Sequence, residues 1–247
     1  MSELAASDPT SRRAGGRASR VAARAAPLAE HLRPVRAGMM GGTYNPLSER
    51  DVQRIHEAAL TALEVIGFGE APPSGIEILT GAGAILGDDG RIRFPRALVE
   101  DMLKKAARGI TLHARDEKQD LHLEPSRVHY GTAGAAVYVV DSEKREYRES
   151  TVQDLYDAGR IVDHLDNVHF YQRCMVCRDI PDNFEMDMNT LYACCAATTK
   201  HVGVSFTSPD YIPHALEMLH LIAGGEDQWR ARPFVSNSNC FVVPPMK

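Results

Sequence analysis

Four cysteines in the second half of the chain pose the first chemical question. Cys174 and Cys177 form a CxxC, Cys194 and Cys195 are adjacent, and 16 residues separate the two pairs. Two cysteine couples about 15–20 residues apart is the spacing of ribbon-type zinc sites. Adjacent cysteines do not easily turn both sulfurs toward one tetrahedral ion. Cys194-Cys195 also lies in a helix-like run with Ala193, Ala196 and Ala197, where a thiol serves as a small core residue. A zinc- or thiol-dependent regulatory module on these four residues is one reading. A thioredoxin-type role fits less well, because that CxxC opens a helix and this one follows a strand-like run. The ten histidines contain no HExxH. "GTAGAA" follows a strand but precedes a hairpin, which removes the dinucleotide-loop reading.

The elements that must position such groups are legible in the hydrophobic rhythm. Ser48 with Asp51 three residues on marks a helix start, continued by Val52, Ile55, Ala59, Leu63 and Ile66 and stopped at Gly67. A short helical piece covers Ile76 to Leu79, and Ile92–Phe94 reads as a short strand. Pro95 opens another helix that ends at Gly109. The period then drops from about 3.6 to 2, giving one hairpin through Ile110, Leu112, Leu121 and Leu123 and a second through Val137, Val139 and Tyr147.

From residue 128 strand and helix alternate. Strand-like runs are Val128–Thr132, Asn167–Val176, His201–Phe206 and the stretch opened by Phe234-Val235. Between them come helices capped by Thr151, lined by Phe184 to Cys195, and started by Ser208-Pro209. Such βα repetition gives a parallel α/β fold, either an open sheet or a (β/α)8 TIM barrel. A full barrel takes about 250 residues. The pattern over 128–247 therefore predicts a partial barrel of four βα units, cut after its fourth strand, behind a helical and β-hairpin extension over 44–127.

Composition narrows the function. Net charge is −5, and a basic excess is confined to a tail over 1–43, where Arg12, Arg13, Arg17, Arg20, Arg24, Arg33 and Arg36 face only Glu3, Asp8 and Glu30. Beyond it nothing resembles a nucleic-acid footprint. No apolar run reaches the roughly 20 residues of a membrane span, and Arg12-Arg13 lacks the apolar stretch of an export signal. The tail reads as disordered, and five cysteines in a chain this long read as reduced cytoplasmic thiols.

Three stretches carry a family resemblance: "GGTYNPLSERDVQRIHEAALTALEVIGF", "GTAGAAVYVVDSEKREYRESTVQDLYDAGRIVDHLDNVHF" and "TTKHVGVSFTS". In order and character the chain resembles, over residues 41–247, the trimethylamine methyltransferase family, which also contains glycine betaine methyltransferases. The resemblance implies a (β/α)8 barrel in a considerably longer protein, of which this would be an N-terminal portion. It implies methyl transfer from a methylated amine to the reduced cobalt of a corrinoid (cobalamin) carried by a partner protein, with no cofactor bound directly. Trimethylamine-specific members use pyrrolysine in the part of the family pattern beyond Lys247, so no such role carries over. Such a portion is expected to be inactive alone. Its open strand edges invite self-association, and a non-catalytic half-barrel that dimerises is a further reading.

In a barrel, ligand groups sit at the C-terminal ends of strands. That rule nominates Tyr130, Gly131 and Thr132 from the first strand, and Arg173, Cys174, Arg178 and Asp179 from the second. The third offers Phe206, Thr207 and Ser208, and the fourth Ser236, Asn237 and Asn239. A cationic amine favours aromatic faces and nearby acids, and a betaine carboxylate favours Arg, His or amide donors. Tyr130, Thr132, Cys174, Asp179, Thr207, Asn237 and Asn239 are the substrate-binding candidates, although each could equally cap a turn. No catalytic residue and no metal ligand is assigned.

Overall fold

The computed structural model describes residues 21, 22, 24, 26, 33, 35–42 and 44–238. The chain divides into two units, 1–36 and 37–247, and all that follows concerns the second. The expected basic tail lies mostly outside the described residues. In chain order the second unit opens with strand β1 (Met39–Met40), helix α1 (Glu49–Thr61), a π-helical turn (Ala62–Ile66) and helix α2 (Pro73–Gly81). The antiparallel pair β2 (Ile85–Leu86) and β3 (Ile92–Arg93) and helix α3 (Arg96–Lys105) follow.

The caps read from sequence are made as expected. Ser48 Oγ accepts the Asp51 amide at 3.2 Å, satisfying one of the free N–H groups at the start of α1. Gly67 closes the π-turn at φ +66°, and a Cβ there would collide with the Ile92 carbonyl. Glycine therefore supplies both the left-handed turn and the close approach to β3. The first hairpin pairs β4 (Ile110–Leu112) with β5 (Leu121–Leu123). Strand β6 (Arg127–Val128) pairs antiparallel with β1, and β7 (Tyr138–Asp141) with β8 (Glu146–Glu149) makes the second hairpin.

Beyond the hairpins lie helix α4 (Val152–His164), β9 (Phe170–Gln172), α5 (Asn183–Ala197), β10 (His201–Val204), α6 (Ile212–Ala223), α7 (Glu226–Ala231) and β11 (Val235–Asn237). The three strands form one parallel sheet in the order β9-β10-β11. The run expected as a first strand splits. Val128 pairs antiparallel with Met39, and only Gly131 pairs parallel with Phe170, as an isolated bridge on the outer side of β9. Spatial order thus follows chain order, an arrangement that consecutive barrel strands and an open sheet share. Among the described residues no barrel closes.

The core sits between the sheet and its helices. Leu155 and Val162 of α4, Leu191 and Cys194 of α5, and Ala215 and Leu219 of α6 pack on Tyr171, Val202 and Val204. Each fully buried Leu or Val contributes roughly 1.5–3 kcal/mol. Gly159 lets α4 approach closely: a Cβ there would stand 2.5 Å from Ala197 Cβ and 2.9 Å from the Tyr171 ring. Thr151 and Asp154 form a full capping box at the start of α4. At its other end Lys200 Nζ donates to the carbonyls of Val162, Leu165 and Val168 at 2.7, 2.8 and 2.6 Å. Burial pushes that ammonium below its ordinary range.

The extension closes the N-terminal end of the sheet. Arg115 reaches the carbonyls of Cys195 and Thr198, and its amide donates to Thr199 O at 2.8 Å. Arg232 grips both oxygens of Asp120 at 2.8 and 2.9 Å. Burial pushes the Asp120 carboxyl up, but the Ala114 amide, His113 and Arg232 outweigh it and hold it below the ordinary carboxylate value. His201 joins the parts, with Nδ1 against His113 O at 2.8 Å and Nε2 against Ser236 Oγ at 3.0 Å.

Candidate functional site

The opposite end of the sheet carries its densest polar network. Arg173 follows β9 directly, and its guanidinium donates to Asp187 Oδ1 at 3.3 Å, Thr190 Oγ1 at 3.4 Å and Ser205 Oγ at 3.0 Å. Asp187 projects from α5, and its Oδ2 accepts both the amide and the hydroxyl of Thr207, at 2.6 and 2.8 Å. One buried carboxylate thus ties together the segments that leave β9 and β10. Register explains the geometry: Arg173 is two residues beyond Tyr171, so it leans toward the helices as Tyr171 does.

The nominated residues take different places. Cys174 is half-buried, its Sγ 3.8 Å from the Tyr171 hydroxyl. Thr132 donates from Oγ1 to Gln172 O at 2.6 Å, stitching the first strand position to β9. Tyr130 lies beside the start of β9, where its amide donates to His169 Nδ1 at 2.9 Å. Asp179 accepts the Val152 amide at 3.1 Å and so caps α4. Phe206 packs against the core, and Ser208 starts the turn before α6. The Arg178 amide donates to Ser150 O at 2.8 Å. Asn237 is exposed and sits beside Val204 in the ladder. Ser236 is held by His201, and Asn239 lies outside the described residues. The structure therefore brings Arg173, Cys174 and Thr207 to one end, with Asp187 between them, and keeps Tyr130 away from it.

Sequence reading did not nominate Asp187 or Gln172. The signal for Asp187 was an acid in helical register with Leu191 and Cys194, an uncompensated charge at a core position. Gln172 alternates with the buried Tyr171, which puts it on the other face of the sheet.

The cysteines behave as core residues. Cys177, Cys194 and Cys195 are buried, and burial pushes the Cys177 and Cys195 thiols up to about 12 and raises Cys194 as well. Among the described residues no group of three or more His, Cys, Asp or Glu side chains is placed to hold a metal ion.

A family model described as trimethylamine methyltransferase matches residues 13–247. The chain belongs to the trimethylamine methyltransferase family. It is 28% identical over 198 residues to trimethylamine methyltransferase MttB of Desulfitobacterium hafniense, covering 80% of this chain and 40% of that protein. To a glycine betaine methyltransferase of the same species it is 26% identical over 199 residues, covering 79% and 40%. To MttB1 of Methanosarcina mazei it is 22% identical over 209 residues, covering 83% and 42%. This family member thus spans about two fifths of the length of the curated relatives it matches. Among its described residues no helix is long and apolar enough to cross a membrane.

Proposed function

We propose that the chain supplies the N-terminal part of a methyltransferase that moves a methyl group from trimethylamine, glycine betaine or a related methylated amine to a corrinoid protein. Family membership over 13–247 carries this reading. The sequential parallel order from Gly131 through β11 supports taking the sheet as consecutive strands of a (β/α)8 barrel. The end with Arg173, Asp187 and Thr207 would be its ligand-facing end.

Detaching methyl from an ammonium nitrogen needs a strong nucleophile aligned with a poorly activated carbon. A reduced corrinoid supplies that nucleophile when its carrier protein docks. On this reading the corrinoid is carried by the partner protein. This chain's residues bind the amine, fix its orientation and exclude water. Among the described residues no strand pairs with the outer edge of β11, and that edge offers a second chain a place to pair.

The test is to supply the protein, together with the remainder of its natural reading frame, with a panel of methylated amines and a reduced corrinoid. Loss of one methyl from a single member of the panel is the expected result. A folded protein that demethylates none of them would remove the reading.

A further inference from the structure

Among the described residues two buried side-chain nitrogens have no hydrogen-bond partner, His129 Nδ1 and His169 Nε2. The two rings stand edge to face beside the first strand position, with centroids 6.2 Å apart. His169 is 5% exposed, and it grips Tyr130 twice. Its main-chain N–H donates to Tyr130 O at 2.6 Å, and its Nδ1 accepts the Tyr130 N–H at 2.9 Å. In a regular parallel ladder a main-chain carbonyl accepts such an amide; here an imidazole does. Beyond it come the Gly131 bridge to Phe170 and the Thr132 hydroxyl on Gln172 O.

The amide fixes where the ring carries its hydrogen. Nδ1 must present a lone pair to Tyr130, so the neutral ring is protonated at Nε2, the nitrogen with no partner. A second proton could go only to Nδ1, where it would meet the Tyr130 N–H, donor against donor. The groups facing the ring are His129 and Tyr130 from the first strand position and Lys200 from the segment before β10. Burial disfavours a charged ring most, and His129 and Lys200 add to it. Asp163 and Asp166 bear on Lys200. The closed arrangement therefore keeps the imidazole neutral, whereas a released ring is free to charge.

We propose that His169 is an acid-released latch: its neutral ring pins the first strand position to β9, and protonation at Nδ1 lets Tyr130 go. The latch is independent of the methyltransferase reading. The open form binds the extra proton, so closure is complete above about pH 6.5 and weakens as pH falls, by about tenfold per unit for one proton, until the closed-form pKa is reached.

The experiment follows amide exchange of the protein by mass spectrometry, corrected for its intrinsic pH dependence, in the segment that contains Tyr130. Protection there is expected to fall roughly tenfold between about pH 6.5 and about pH 5.5, with β10 remaining the better protected. His169→Asn places a non-titrating oxygen near the Nδ1 position and should hold protection constant over that range. Should this variant not fold, exchange of the hydrogen on the imidazole carbon between the two nitrogens, mapped to His169 in the unaltered protein, reads the same event. Its titration should coincide with the loss of protection at Tyr130. Constant protection, a fall that persists in His169→Asn, a His169 titration detached from that fall, or a segment that opens only together with β10 would overturn the proposal.

Discussion

Arg173 and Asp187 meet at 3.3 Å between the end of β9 and helix α5, with the carboxylate fully enclosed and the guanidinium 13% exposed. The pair, with Thr207, fixes the positions of two strand ends at once. It also turns the guanidinium nearest the candidate site away from any ligand on the opposite face. Removing one member of a buried pair leaves an uncompensated charge, which typically costs about 3–5 kcal/mol. Asp187→Asn should lower unfolding stability by that amount in urea titrations, and Asp187→Leu combined with Arg173→Met should recover most of it. A single variant within about 1 kcal/mol of the parent would show that the pair does not hold the rim.

His201 gives the fold a pH dependence near neutrality. Burial holds its pKa below the ordinary 6.5, against the His113 carbonyl and Asp120, which raise it, while the His113 imidazole adds to the lowering. Because the folded value is the lower one, the unfolded chain binds more protons. Stability is therefore full above about pH 6.5 and declines as pH falls toward the folded pKa. His169, depressed chiefly by burial, adds to the same trend. Melting temperature should drop between about pH 7.5 and about pH 5.5, above the range where most carboxylates titrate. His201→Gln should flatten that slope while lowering stability throughout, and an unchanged slope would exclude His201 as a source.

The thiols separate the methyltransferase from the zinc or thiol module. With Cys177, Cys194 and Cys195 buried and their pKa values raised by burial, little thiolate forms at neutral pH. These three should resist alkylation in the native protein, react promptly in denaturant, and accompany far less than one equivalent of zinc by metal analysis. Equimolar zinc, or fast native labelling mapped to those positions, would favour the regulatory module.

Gly131 is required by its neighbour. A Cβ there would enter the Phe170 ring, so Gly131→Ala should overpack the first strand position and cost about 1–3 kcal/mol. Phe170→Ala should relieve that strain, making the double variant more stable than the sum of the single effects. Strict additivity in denaturation would mean that the two do not press on each other.

Much of the architecture was readable because it rests on local rules. The caps at Ser48 and Thr151, the stop at Gly67 and both hairpins follow from residue type and period. Helix α7 escaped because "EDQWRA" is too short and charged to show a helical period after Gly224-Gly225. The candidate site was less legible, since a strand end can be located without knowing which face a side chain takes. Arg173 reads as a rim group and is tied to Asp187, 14 residues away; Asp179 reads as a ligand group and caps α4. Contacts of that kind depend on how α4 and α5 lie on the sheet, which no local pattern encodes.

Following the methyl carbon tests the account most directly. The protein, completed by its natural reading frame, is given a 13C-methyl-labelled amine and a reduced corrinoid protein, and the label is traced by NMR. The account predicts a methyl signal bonded to cobalt, appearing as the amine loses one methyl. An intact amine, or a label that leaves it without reaching cobalt, would contradict it.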